Sequence, residues 1–223
     1  MEIIARDNYM MGNSWIMLII LCSMALLAYV HQAYPARFGK LFRATFNERI
    51  TRQVMREERV FSHRASLILI FVAGIVTSLN LALFWSYSTG ESPEMSFFLL
   101  VLLAVSVGYI VRQGLRALLH LLLGTDSGLK EFNFVSSLIY KVLGLIMLPI
   151  SICASFIQIR FAVWFLATSI LTFILAALFR WYRGWRIGRS SGGAPYHLMI
   201  YLCTLEILPI LVVVKGVIQG SSI

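Results

Sequence analysis

Apolar residues along this chain come in blocks of about twenty, the length that carries an α-helix across the hydrocarbon core of a bilayer. These blocks predict membrane helices over residues 14–34, 67–87, 134–157, 161–182 and 196–217. A further block, 95–111, is less sharply bounded, because it runs on into Arg112, Arg116 and His120. Those three residues fall four apart on one helical face, with Leu115, Leu118, Leu119, Leu122 and Leu123 on the other side. The helix either emerges at Arg112 and continues along the membrane surface, or extends as a long tilted helix to Gly124. The pattern predicts an all-α fold: a polytopic transmembrane helical bundle of six crossings, forming a single integral membrane domain over residues 1–223. Four or five crossings with a re-entrant segment is the alternative.

The connections have their own pattern. Pro35 is expected to end the first helix. In the basic connection 36–66, Phe38, Leu41, Phe42 and Phe46 recur at three- and four-residue steps, and Ile50, Val54 and Phe61 extend the face. This predicts a basic amphipathic helix lying at the membrane interface, with docking of a partner protein as the other reading. Gly74 and Ser78 form a small-x-x-x-small pair that lets a neighbouring backbone approach. Pro149 falls inside the fourth helix, followed by Ser151, Cys153 and Ser155. Such a small-residue turn either packs tightly or lines a pathway. Ser190 to Pro195, SSGGAP, reads as a flexible linker.

Composition supports the membrane reading. Of 223 residues, 59% are hydrophobic and only 13% charged, where a soluble domain carries about a quarter charged. The mean hydropathy is +0.82. A net charge of +9 would suggest nucleic acid in a soluble protein, but here the basic residues sit between apolar blocks and no nucleic-acid-binding module accompanies them. They crowd the first, third and fifth connections. The second has none and the fourth has only Arg160. By the positive-inside rule the basic connections face the cytoplasm, which puts both termini on the periplasmic side of a bacterial inner membrane in a multi-pass topology. The start of the chain has no compact basic region or small-x-small site, so the first block is expected to stay as a helix. Cys22, Cys153 and Cys203 each fall in an apolar block without metal or redox spacing and read as small buried residues.

Candidate chemistry is sparse. The last block, PYHLMIYLCTLEILPILVVVKG, carries a carboxylate, Glu206, near its middle, with Pro209 three residues on and Lys215 near its end. A charge at that depth is costly unless paired, neutralised or facing polar groups. Glu206, Pro209, Thr204, Tyr201 and Lys215 are therefore the functional candidates, Glu206 serving either as a proton- or cation-responsive group or as a structural carboxylate. Arg112, Arg116, His120, Arg52 and Arg56 are candidates for binding lipid phosphate or a partner. No Walker A loop, dinucleotide fingerprint, HExxH or GxSxG motif is present, so neither catalytic residues nor a metal or other cofactor is expected. Two functions remain: a non-enzymatic subunit or assembly factor of a larger membrane complex, or a proton- or ion-coupled transporter or channel component using Glu206. The expected partners are membrane lipids and either another membrane protein or a second copy of the chain, without nucleic acid.

The closing stretch YHLMIYLCTLEILPILVVVK resembles the C-terminal signature of an uncharacterised family of integral membrane proteins from Bacteroidota. By that resemblance Tyr201, Cys203, Glu206, Pro209 and Lys215 match the family's most recognisable positions. The resemblance implies a multi-helix membrane protein of the bacterial inner membrane and carries no activity.

Overall fold

A computed structural model of the chain describes residues 14–47, 50–51, 53–55, 63–90, 94–123, 128–157 and 159–190. The bounded elements are all helices: α1 (Ser14–Ala33), α2 (Pro35–Phe46), α3 (His63–Thr89), α4 (Met95–Leu123), α5 (Gly128–Phe156) and α6 (Ile159–Ser190). A short helical stretch around Thr51 lies between α2 and α3. Among the described residues five helices are long and apolar enough to cross a membrane: α1, and spans of α3, α4, α5 and α6 over Ala65–Thr89, Met95–Gly114, Glu131–Phe156 and Phe161–Arg189. The architecture is that of a multi-pass membrane protein. The predicted block 196–217 lies outside the described residues.

Pro35 ends one helix and begins the next. α1 stops at Ala33, Tyr34 breaks the run, and Pro35 takes the first position of α2, where its missing N–H costs nothing. α2 lays Ala44 and Thr45 against the bundle, with Leu41 half-buried, and leaves Lys40, Phe42 and Arg43 exposed. α3 ends at Gly90, whose φ of +74° lets its N–H turn back to the Ser86 carbonyl at 2.9 Å. That left-handed residue is the usual glycine stop after a helix. α4 continues without a break past Arg112 to Leu123, so the helix does not end where the apolar block does. α5 likewise begins at Gly128, ahead of the apolar block that starts at residue 134.

α3 and α5 are the interior pair, with 61% and 56% of their spans buried, whereas α4 has 6%. α6 packs along α5, while α1 and α4 each pack chiefly against α3. One half of the core gathers Ile16, Ile20, Leu79, Leu83, Phe98, Ala154, Ala162 and Leu166. The next layer gathers Val72, Val76, Leu143, Met147 and Leu148. The two interior helices come close together at Ala73 and Gly144. A Cβ on Gly144 would lie 2.4 Å from the Ala73 Cβ. The close approach is thus one residue from the predicted Gly74 position, where a Cβ would meet only the Tyr140 hydroxyl, at 3.8 Å. Ser78 is fully buried and turns its hydroxyl onto the Gly74 carbonyl at 2.8 Å. Cys22 faces outward and Cys153 is half-buried, so neither is the buried filler expected from sequence. Cysteine polarity is low enough for an outward position on a membrane helix to cost little.

Candidate functional site

Among the described residues, two polar constellations stand out within the bundle. The first is in the core. Asn80 of α3 is the hub: its Nδ2 donates to the Val76 carbonyl at 2.9 Å and to the Ser151 Oγ of α5 at 2.6 Å. Its Oδ1 accepts from the Ser169 Oγ of α6 at 3.2 Å. The Ser151 hydroxyl in turn donates to the Met147 carbonyl at 2.8 Å. All three side chains are buried. An amide can face two helices at once because it carries donors and an acceptor on one plane. Interhelical hydrogen bonds of this kind contribute about 0.6 kcal/mol on average in membranes, so the gain here is mostly in register among α3, α5 and α6. Ser155, one turn beyond Ser151, is also fully buried.

The second constellation is at the basic end of the bundle. Arg183, near the end of α6, is buried and donates through Nη2 to the carbonyls of Ala44 (3.3 Å) and Thr45 (3.0 Å) and to the Thr51 Oγ1 (3.1 Å). Ala44 and Thr45 are in the last turn of α2, whose carbonyls have no partner within the helix. A guanidinium placed there meets the negative end of the helix dipole as well as the free lone pairs. Thr51 ties the chain just after α2 into the same knot, donating to the Asn47 carbonyl at 2.9 Å. Nearby on α6, the Arg180 guanidinium lies 5.9 Å from the centroid of the buried Phe132 ring of α5, a cation–π distance. The end of α2 and the basic end of α6 therefore lie at the same end of the molecule.

Between the two runs a line of hydroxyl and aromatic groups. Tyr109 of α4 and Tyr140 of α5 stack with centroids 5.5 Å apart. The Gln113 Nε2 donates to the Tyr109 hydroxyl at 3.1 Å, and the Tyr140 hydroxyl lies 3.5 Å from the Thr77 Oγ1. Arg112 is half-buried within electrostatic range of Tyr140. Of the residues singled out by sequence, Arg112 is thus at the inner side of α4. Arg116 and His120 follow it at one-turn steps of the same helix. Tyr201, Thr204, Glu206, Pro209 and Lys215 lie outside the described residues, as do Arg52 and Arg56. Among the described residues no three His, Cys, Asp or Glu side chains converge on one point.

Arg183 and Thr51 were not candidates from sequence. Arg183 sits in the series Arg180, Arg183, Arg186, Arg189, which reads as membrane-end anchoring, and only burial separates it from Arg186 and Arg189, which are exposed. Asn80 could have been found as the lone amide inside an apolar block, since such a group needs partners there.

Comparison with curated proteins and with solved structures gives no match. Residues 16–217 match the family model described as Domain of unknown function (DUF4271), and the chain belongs to that family.

Proposed function

We propose that the protein is a non-enzymatic subunit or assembly factor of a larger complex in the inner membrane of a bacterium, with six crossings and both termini on the periplasmic side. The observation that carries this reading is the uneven distribution of burial. Here α4 leaves Leu99, Leu100, Leu103, Val107 and Ile110 exposed and packs chiefly against a single neighbour. Ala104 and Gly108, four residues apart, are exposed on it as well, and small residues at that spacing let another membrane helix approach. Asn80, Ser151, Ser169 and Arg183 are engaged in hydrogen bonds that hold helices to each other. In this reading α2 lies at the cytoplasmic interface with Lys40 and Arg43 toward anionic headgroups, and Arg183 fixes it there.

Extraction in a mild detergent or a lipid-retaining polymer tests this. The expected result is a membrane protein that co-purifies in constant stoichiometry and is lost when outward residues of α4 are changed. A chain that purifies homogeneous and alone, and moves protons or a solute when placed in liposomes, would replace this reading with transport through Glu206.

A further inference from the structure

α4 turns one side inward: Phe98 is buried, and Leu102, Val105, Tyr109 and Arg112 are half-buried. On the adjoining flank Leu99, Leu103, Ser106, Ile110 and Gln113 are all exposed. These five follow one another at steps of four, three, four and three residues. A 3.5-residue repeat is the seam along which two helices wind left-handed around each other, the usual crossing in membrane bundles. α4 is helical throughout this stretch, so the seam is unbroken over about 21 Å at 1.5 Å per residue.

The polar members of the seam say what covers it. Ser106 is exposed near the middle of the Met95–Gly114 span. On α6 the exposed Thr168 and the half-buried Thr172 turn their hydroxyls onto carbonyls of their own helix, at 2.8 and 2.7 Å. Among the described residues the Ser106 hydroxyl has no hydrogen bond. A hydroxyl in hydrocarbon is costly until it is bonded, and a second helix can supply the partner. A two-fold axis along the membrane normal lays each seam residue opposite its own copy. Serine and glutamine each carry a donor and an acceptor, so each can pair with itself across such an axis. None of the five seam residues is charged, so like charges do not meet there. Arg112 is off the seam, on the side within electrostatic range of Tyr140. Copies of one chain insert in the same orientation, which makes their α4 helices parallel, as this axis demands.

We propose that two copies of this chain pair through parallel α4 helices along Leu99, Leu103, Ser106, Ile110 and Gln113, with the Ser106 hydroxyl bonded to that of its counterpart. This rests on the reading of α4 as the helix that a partner covers, and names that partner at the seam. It leaves Ala104 and Gly108, on the opposite side of α4 from Ser106, to an unlike subunit. Cysteine trapping in native membranes tests it. In a Cys22→Ser, Cys153→Ser, Cys203→Ser background, Leu99→Cys, Leu103→Cys, Ser106→Cys and Ile110→Cys sample the seam, and Leu100→Cys, Val107→Cys and Val111→Cys sample the next flank. After copper-phenanthroline oxidation, most of each seam variant that reaches the membrane should run at twice the chain mass until reduced. The flank variants should stay mostly at the single-chain mass. Equal linking at seam and flank, or no linking at the seam, overturns the pairing. A photo-crosslinking amino acid at Leu103 separates this failure from that of the subunit reading. An adduct of twice the chain mass supports the pair. An adduct to a different protein overturns the pair and leaves the subunit reading intact, and adducts to lipid alone overturn both.

Discussion

Gly144→Ala should destabilise the protein, although glycine-to-alanine changes in helices ordinarily stabilise by about 1 kcal/mol. The added Cβ would lie 2.4 Å from the Cβ of Ala73 and 2.5 Å from its Cα, distances no packing tolerates. The obstruction includes backbone on α3, so a side-chain rotation cannot relieve it and the two interior helices must separate. Overpacking of that kind costs about 1–3 kcal/mol. A separation there also strains the Asn80–Ser151 hydrogen bond, which bridges the same two helices two turns further along. The thermal midpoint in detergent should fall by about 2–4 °C for each kcal/mol lost in a chain of this size. Gly74→Ala is the control: its Cβ would meet only the Tyr140 hydroxyl at 3.8 Å, so its midpoint should hold or rise. Ala73→Gly combined with Gly144→Ala should recover only part of the loss, because the Cα of residue 73 remains in the way. An unchanged or raised midpoint for Gly144→Ala would show that α3 and α5 do not cross here.

Arg183→Ala should loosen the end of α2 from the bundle. The substitution removes a buried cation that donates to two helix-terminal carbonyls and one hydroxyl. Hydrogen bonds from a charged group are worth about 1.5–3 kcal/mol each in mutational series, and the carbonyls of Ala44 and Thr45 would lose this donor. Arg183→Lys keeps the charge without the planar fork and should fall between wild type and alanine. The measurement is the thermal midpoint together with abundance in the membrane fraction. Arg186→Ala provides the comparison, since Arg186 is exposed in the same basic series and its removal changes the positive-inside count equally. Equal losses for Arg183→Ala and Arg186→Ala would mean that Arg183 acts only as a membrane-end anchor.

These two positions show what sequence could and could not reveal. Long apolar blocks announce membrane helices because hydrocarbon thickness imposes a length, and the described helices follow that pattern. Their polar extensions were less legible. α4 runs through Arg112 and α5 begins before its apolar block, because a helix can outlast its membrane-spanning part. α2 was visible through its period, but among its described side chains those that are buried are Ala44 and Thr45, small residues that a hydrophobic pattern passes over. The Ala73–Gly144 crossing was missed by one residue on α3 and wholly on α5, since a small residue shows that an approach is permitted, not which helix makes it. Arg183 resembled its neighbours in everything except burial, a property of the assembled bundle. Asn80 was not singled out from sequence, although a lone amide in an apolar block needs partners; that these are Ser151 and Ser169 depends on how three helices pack.

The central claim is that this bundle is completed by another membrane protein, and α4 is where the claim is most exposed. A photo-crosslinking amino acid placed at Leu103, an outward position 66% accessible on α4, reads its neighbour directly in native membranes. The account predicts one protein adduct of defined mass, formed at Leu103 and Ile110 but not at the buried Phe98, and persisting through mild extraction. Adducts to lipid alone at Leu103 and Ile110 would contradict it.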